Sequence, residues 1–161
     1  MTERIYERYA WMLLAAVSVL FLPIAIGDVI LGAGGDQVTT QSVAGVSWTE
    51  LQETDPGVAA LIDIYARLVG VGLLGLSLLS LAVAVTAYRR WERWAWYGLW
   101  TWPLVLVLII ALYGTAMMPG STLPPPLFSA PILLALAVLG LLLPVRGFLL
   151  PEGRPDVSPV E

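Results

Sequence analysis

The sequence predicts an all-α integral membrane protein: a bundle of four transmembrane helices with both termini cytoplasmic. Three observations predict it. The chain contains four long apolar runs, it carries little charge, and its arginines alternate between connections. Of 161 residues 58% are hydrophobic and only 12% charged, with a mean hydropathy of +0.83. A soluble domain carries about twice that charge.

The apolar runs cover residues 9–31, 59–88, 94–117 and 127–144. Each is long enough to cross a hydrocarbon layer of roughly 30 Å as a helix, which takes about 20 residues. Lipid offers no partner to an unpaired backbone group, so helix is the form such runs must take. The first run has a second reading, a secretory signal peptide. Against it, the apolar stretch exceeds the usual h-region of about 7–15 residues, and Glu3 and Glu7 dilute the positive flank.

Arginine sets the direction. Arg4 and Arg8 precede the first run, Arg89, Arg90 and Arg93 separate the second from the third, and Arg146 and Arg154 follow the fourth. The connection 32–58 has no base and four acids, Asp36, Glu50, Glu53 and Asp55, and the turn MPGSTLPPP (118–126) has no charge. By the positive-inside rule these two connections face outward, and the protein is expected to be a multi-pass component of the cell membrane.

Composition also excludes functions. With no cysteine and no histidine, the chain has no thiolate chemistry, no imidazole acid–base catalysis and no histidine ligand for metal or haem. A net charge of −4 argues against nucleic acid, which requires a basic face. No cofactor is expected.

The stretch YRRWERWAWYGLWTW (88–102) holds three arginines and five tryptophans. Indoles gather where acyl chains give way to headgroups, and neighbouring arginines bind lipid phosphate. At 100° per residue Trp96, Trp100 and Pro103 share a face while Trp94 and Tyr97 share another. Aromatics all round a helix suit a lipid belt better than a one-sided ligand cage. Arg89, Arg90, Trp91, Arg93, Trp94 and Trp96 are therefore expected to form an interfacial anchor.

In the outer connection, SWTE (47–50) matches a capping box and predicts a short helix from Trp48 to about Glu53. Asp55 and Pro56 then supply the N-cap and first residue of the second long helix. The preceding GAGGDQVTTQSVAG is small, polar and rich in turn formers, and reads as irregular loop.

One constellation could carry chemistry. Asp63 and Arg67 are four residues apart, the spacing at which an acid and a base pair on one helix face. Arg67 precedes Arg89 by 22 residues, about 33 Å of helix, which puts Arg67 at the outer edge of the hydrocarbon layer. The same arithmetic from Tyr9 brings Asp28 to that depth. Asp28, Asp63 and Arg67, with Trp48 and Glu50 above them, form a candidate outer polar site. It has two readings: an ion-pair cluster pinning helix ends, or the polar floor of an outward-facing pocket.

Ala66, Gly70, Gly72 and Gly75 are small residues of the kind that let helices approach closely in lipid, so the second helix is expected to be central and to offer a homo-oligomer face. Pro103 and Pro131 sit near helix starts, where they distort little, and Pro23 lies deeper, where it can kink the first helix. The membrane domain is expected to span residues 1–147, with a disordered, proline-rich tail over 148–161.

The four short spans, the helix opening ARLVGVGLLG and the Tyr-Arg-Arg turn resemble small prokaryotic membrane proteins of the DoxX-like, four-helix kind. Some members of that family are tied to redox or sulfur chemistry. This chain has no cysteine to carry it, so the resemblance transfers no role.

The function these features predict is non-enzymatic binding of a lipid or a membrane partner. The alternative is a subunit of a small dimeric transporter or channel. No acid, amide or base occupies the bilayer midplane, where proton-coupled carriers keep theirs, and that counts against the alternative. A third class, a membrane enzyme, would rest on Asp28 and Asp63 holding a divalent ion.

Overall fold

The computed structural model describes residues 5–117 and 119–149. It is all-helical, with no strand among the described residues. Helix α1 covers Ile5–Leu31, α2 Gln37–Ala44, α3 Trp48–Thr54 and α4 Pro56–Thr86. Helix α5 covers Arg93–Leu99, α6 Thr101–Ala116, α7 Pro125–Leu142 and α8 Val145–Leu149. Four stretches, Tyr9–Gly35, Pro56–Arg90, Arg93–Ala116 and Pro125–Leu142, are long and apolar enough to cross a membrane.

The local signals explain most boundaries. Ser47 caps α3 by accepting from the Glu50 amide at 3.2 Å, and Asp55 caps α4 by accepting from the Val58 amide at 3.1 Å, with Pro56 in the first turn. Helix α4 has 31 residues, about 46 Å, so it is longer than a hydrocarbon layer is thick.

Three expectations are corrected or refined. Residues 37–44 are helical rather than irregular: the Asp36 carboxylate caps α2 at the Thr39 amide, and Gly45 closes it at φ 73° in the left-handed conformation. Ser42 then ties α2 down by donating to the Thr122 carbonyl, 2.6 Å away in the α6–α7 turn. The third span, Arg93–Ala116, stands as one stretch long enough to cross but is broken at Trp100 into α5 and α6. Pro103 has no N–H for the Leu99 carbonyl, and the chain tightens at Trp100, whose amide bonds Tyr97 instead. Thirdly, α4 is not central. Helix α1 packs against both α4 and α7, and α7 packs in turn against α6.

Two close approaches make α1 the middle element. A Cβ at Gly70 of α4 would lie 2.7 Å from Asp28 Cβ and 2.8 Å from the Val29 nitrogen. A Cβ at Gly140 of α7 would lie 3.0 Å from Leu14 Cγ. Gly70, Ser77 and Ala84 recur every seven residues as the buried seam of α4. Gly72 and Gly75 point away from it, with nothing within 4 Å of an added Cβ. The expected small face is thus split, Gly70 packing within the chain and Gly72 and Gly75 lying open.

Inside, Leu14, Val17 and Phe21 of α1 meet Trp102 and Leu106 of α6 and Leu133, Ala137 and Leu141 of α7. Phe21 stacks on Trp102 with ring centroids 4.7 Å apart. Helices α4 and α6 meet at most weakly. Phe148 of the expected tail is buried in α8; the rest of that tail from 150 on, with Arg4 and Arg154, lies outside the described residues.

Candidate functional site

The aromatic turn resolves into an inner and an outer set. Trp94 and Tyr97 are 59% and 61% exposed, whereas Trp96 and Trp102 are buried. Trp96 donates its indole hydrogen to the Leu141 carbonyl at 2.9 Å, so it closes the end of α7 rather than facing headgroups. Trp91, half-buried at φ 62°, lies against Phe148 with centroids 5.0 Å apart. Arg89 lies over the Trp11 ring, 5.5 Å from its centroid, a cation–π contact. Of the expected anchor, Arg89, Arg90, Arg93 and Trp94 are exposed.

At the other end of the bundle, Asp63 and Arg67 pair, Nε to Oδ2 at 2.8 Å. Each also reaches α1. Arg67 Nη1 donates to the Val29 and Ile30 carbonyls at 2.8 and 2.9 Å, two acceptors the last turn of α1 leaves free. Asp63 Oδ1 accepts from the Ala33 amide at 3.1 Å. The chain turns there through Gly32 at φ +59°, where a Cβ would fall 1.9 Å from Asp63 Oδ1. The pair therefore fastens the first connection to α4.

Trp48 is buried above this turn with Ala33 and Ala59, roofing it as a hydrophobic plug. Glu50, two residues along α3, is exposed, on the face turned away from Trp48. It is not drawn into the group.

Asp28 has different company from Asp63 and Arg67. It is half-buried with its Cβ against Gly70, and it makes no hydrogen bond or ion pair among the described residues. It lies instead within electrostatic range of Asp36. Asp36 is occupied by Thr39, whose amide donates at 3.0 Å and whose hydroxyl donates as well. Thr39 neighbours Tyr113, on whose hydroxyl both Asp28 and Asp36 act electrostatically.

A cleft of about 330 Å³ lies between α2, α4 and α6; neither Asp28 nor Asp36 lines it. Thr39 and Tyr113 supply its polar edge; Val43, Ile62, Leu112 and Ala116 supply apolar walls. It lies where α4 and α6 fail to close on each other. Sequence reasoning missed Thr39 and Tyr113. The available signals were the Asp-x-x-Thr cap at 36–39 and a lone phenol at the far end of an aliphatic span.

Such a site can hold an amphiphile, polar end toward Tyr113 and apolar end between Ile62 and Leu112. Among the described residues no group of three acidic, histidine or cysteine side chains could hold a metal ion. Comparison with family models, curated proteins and solved structures finds no match for this chain.

Proposed function

We propose that the chain is a non-enzymatic integral membrane protein that binds a lipid or a membrane partner. The observation that carries this reading is the cleft between α4 and α6. It is apolar along its walls, polar at one edge and about 330 Å³ in volume, at the lower end of the range of ligand pockets, about 300–1,000 Å³. Large apolar residues along α4 and α6, among them Leu68, Leu79, Leu104 and Leu112, are more than half exposed, as lipid-facing residues are.

In this reading the termini are cytoplasmic, the 32–58 segment is outside, and the protein resides in the cell membrane. The support is the arginine distribution. A partner copy would use the open side of α4 at Gly72 and Gly75, since Gly70 is already packed on α1. Likeness to the DoxX-like kind remains at the level of layout.

Lipid-resolved mass spectrometry of the purified protein tests the function: specific lipid adducts surviving detergent exchange are expected. Absence of adducts, together with ion or dye flux in proteoliposomes, would move the protein to the transporter class. With no native cysteine, single-cysteine labelling tests orientation. Thr49→Cys should react with an impermeant maleimide in intact cells and Arg90→Cys should not; the reverse pattern inverts the topology.

A further inference from the structure

We infer that the turn joining α4 to α5, with α8 beside it, is a selective site for an anionic phospholipid. Arg90, Arg93 and Arg146 would take the phosphate, and the rings of Trp94 and Tyr97 the upper part of an acyl chain. Tyr113 follows Arg93 by 20 residues, about 30 Å of helix, so the cleft is at the other end of the bundle. The site at the turn does not rest on it.

Three features carry this. The first is convergence. The Glu92 amide donates to the Ala87 carbonyl at 3.1 Å and the Trp91 amide to the Tyr88 carbonyl at 3.0 Å, the paired bonds of a Schellman turn. Its left-handed position, which usually falls to glycine, is held by Trp91 at φ 62°. The Trp91 ring lies against Phe148, and an added Cβ at Gly147 would stand 2.4 Å from its Cζ3. The indole thereby seats α8 on the turn, and with it Arg146, the neighbour of Gly147. Arg90 and Arg93 are three residues apart, so their Cα atoms are at most about 11 Å from each other.

The second feature is charge. Between residues 88 and 149 the chain carries four bases, Arg89, Arg90, Arg93 and Arg146, and one acid, Glu92. All five are exposed. None makes a side-chain hydrogen bond or ion pair among the described residues, and the Trp11 ring beside Arg89 leaves its charge in place. A chain of net charge −4 thus presents a local positive surplus here. Guanidinium groups take phosphate oxygens by charge-assisted hydrogen bonds. A headgroup ending in an ammonium brings a cation among the arginines and is disfavoured.

The third feature is level. Trp94 and Tyr97, in the first turns of α5 where the apolar run begins again, are exposed, whereas Trp96 is buried and bonded to Leu141. Exposed indole and phenol rings at a span end lie where headgroups give way to acyl chains. The arginines then meet a lipid phosphate at its own depth. A soluble phosphate gains nothing from those rings, so the lipid is the occupant.

The test uses the full chain in detergent with phosphatidylglycerol and phosphatidylethanolamine at equal concentration, adducts being counted by native mass spectrometry. The expected result is a preference for phosphatidylglycerol of at least about fivefold, the effect of one arginine at a membrane surface. Arg90→Gln, Arg93→Gln and Arg146→Gln should each reduce it, and the triple variant should remove most of it. Glu92→Gln should raise it, which a merely structural role of the turn would not do. Ala116→Trp, which fills the distant cleft, should leave the preference unchanged.

Equal retention of the two lipids by the unmodified protein overturns the inference. A preference that survives the triple variant overturns the site, and one lost in Ala116→Trp instead moves the anionic lipid to the cleft. Should the triple variant fail to fold, the single variants and Glu92→Gln carry the same comparison. Inorganic phosphate that displaces phosphatidylglycerol better than chloride at equal ionic strength overturns the lipid assignment in favour of a soluble anion. A preference that depends on the arginines, with no adduct sensitive to Ala116→Trp, supports this site and withdraws the cleft. No adduct of either lipid overturns both.

Discussion

The Tyr88 hydroxyl donates to the Gly140 carbonyl at 2.6 Å. The helical partner of that carbonyl would be the amide of residue 144, a proline with no N–H. One carbonyl later, Trp96 serves Leu141. Two members of the aromatic stretch thus close the end of α7 where a proline has opened it, and they do so inside the protein.

Tyr88→Phe is expected to cost about 1–3 kcal/mol, because it strands a buried carbonyl with little change of shape. Pro144→Ala restores a backbone donor, so the tyrosine change should cost less in that background. Unfolding curves in detergent give the cycle. Additivity within about 0.5 kcal/mol would show that the phenol and the proline are unrelated.

Arg67 should matter more than Asp63. Arg67→Ala removes the ion pair and uncovers the Val29 and Ile30 carbonyls, whereas Asp63→Ala leaves both of those bonds in place. Arg67→Lys should rescue poorly, since a point ammonium cannot span a carboxylate and two carbonyls as the guanidinium fork does. Thermal midpoints rank the variants. A lysine variant as stable as the original would show that charge alone sufficed.

Gly32→Ala is expected to disturb the same fastening from the other side. It places a Cβ onto Asp63 Oδ1 and forces a non-glycine residue to φ +59°. The loss should exceed about 1 kcal/mol, the ordinary cost of a left-handed non-glycine residue. In an Asp63→Ala background the steric part should shrink, a difference denaturation can measure.

The glycines of α4 should divide cleanly. Gly70→Ala drives a methyl into Asp28, Val29 and Ala25 and should separate α1 from α4. Gly72→Ala and Gly75→Ala enter open space within a helix and should stabilise the monomer by up to about 1 kcal/mol. Gly75→Leu then reads the partner face: weaker self-association in a cross-linking assay supports a second copy there, and unchanged association removes it.

Ser77 Oγ is buried without a hydrogen-bond partner among the described residues. Ser77→Ala should therefore be neutral or stabilising, because it removes an unpaired hydroxyl at little cost in packing. A clear drop in thermal midpoint would mean that a water or rotamer satisfies the group.

The sequence by itself determined what depends on neighbours in the chain. Four apolar runs, the caps at Ser47 and Asp55 and the Asp63–Arg67 pairing are all local, set by hydrophobic length, side-chain oxygens three residues from an amide and i,i+4 spacing. The cap at Asp36 obeyed the same rule but was obscured by small polar residues that also suit loops. Tertiary structure alone decided which helix lies in the middle, since glycines at 70 and 140 show only that something comes close, not that both approach α1. It also decided which indoles face inward. Trp96 has the same local pattern as Trp94, and only the open end of α7, 45 residues away in sequence, draws its N–H into the interior. The cleft is the clearest case: Thr39, Ile62 and Tyr113 belong to three helices, and no spacing rule joins residues whose distance is set by how helices pack.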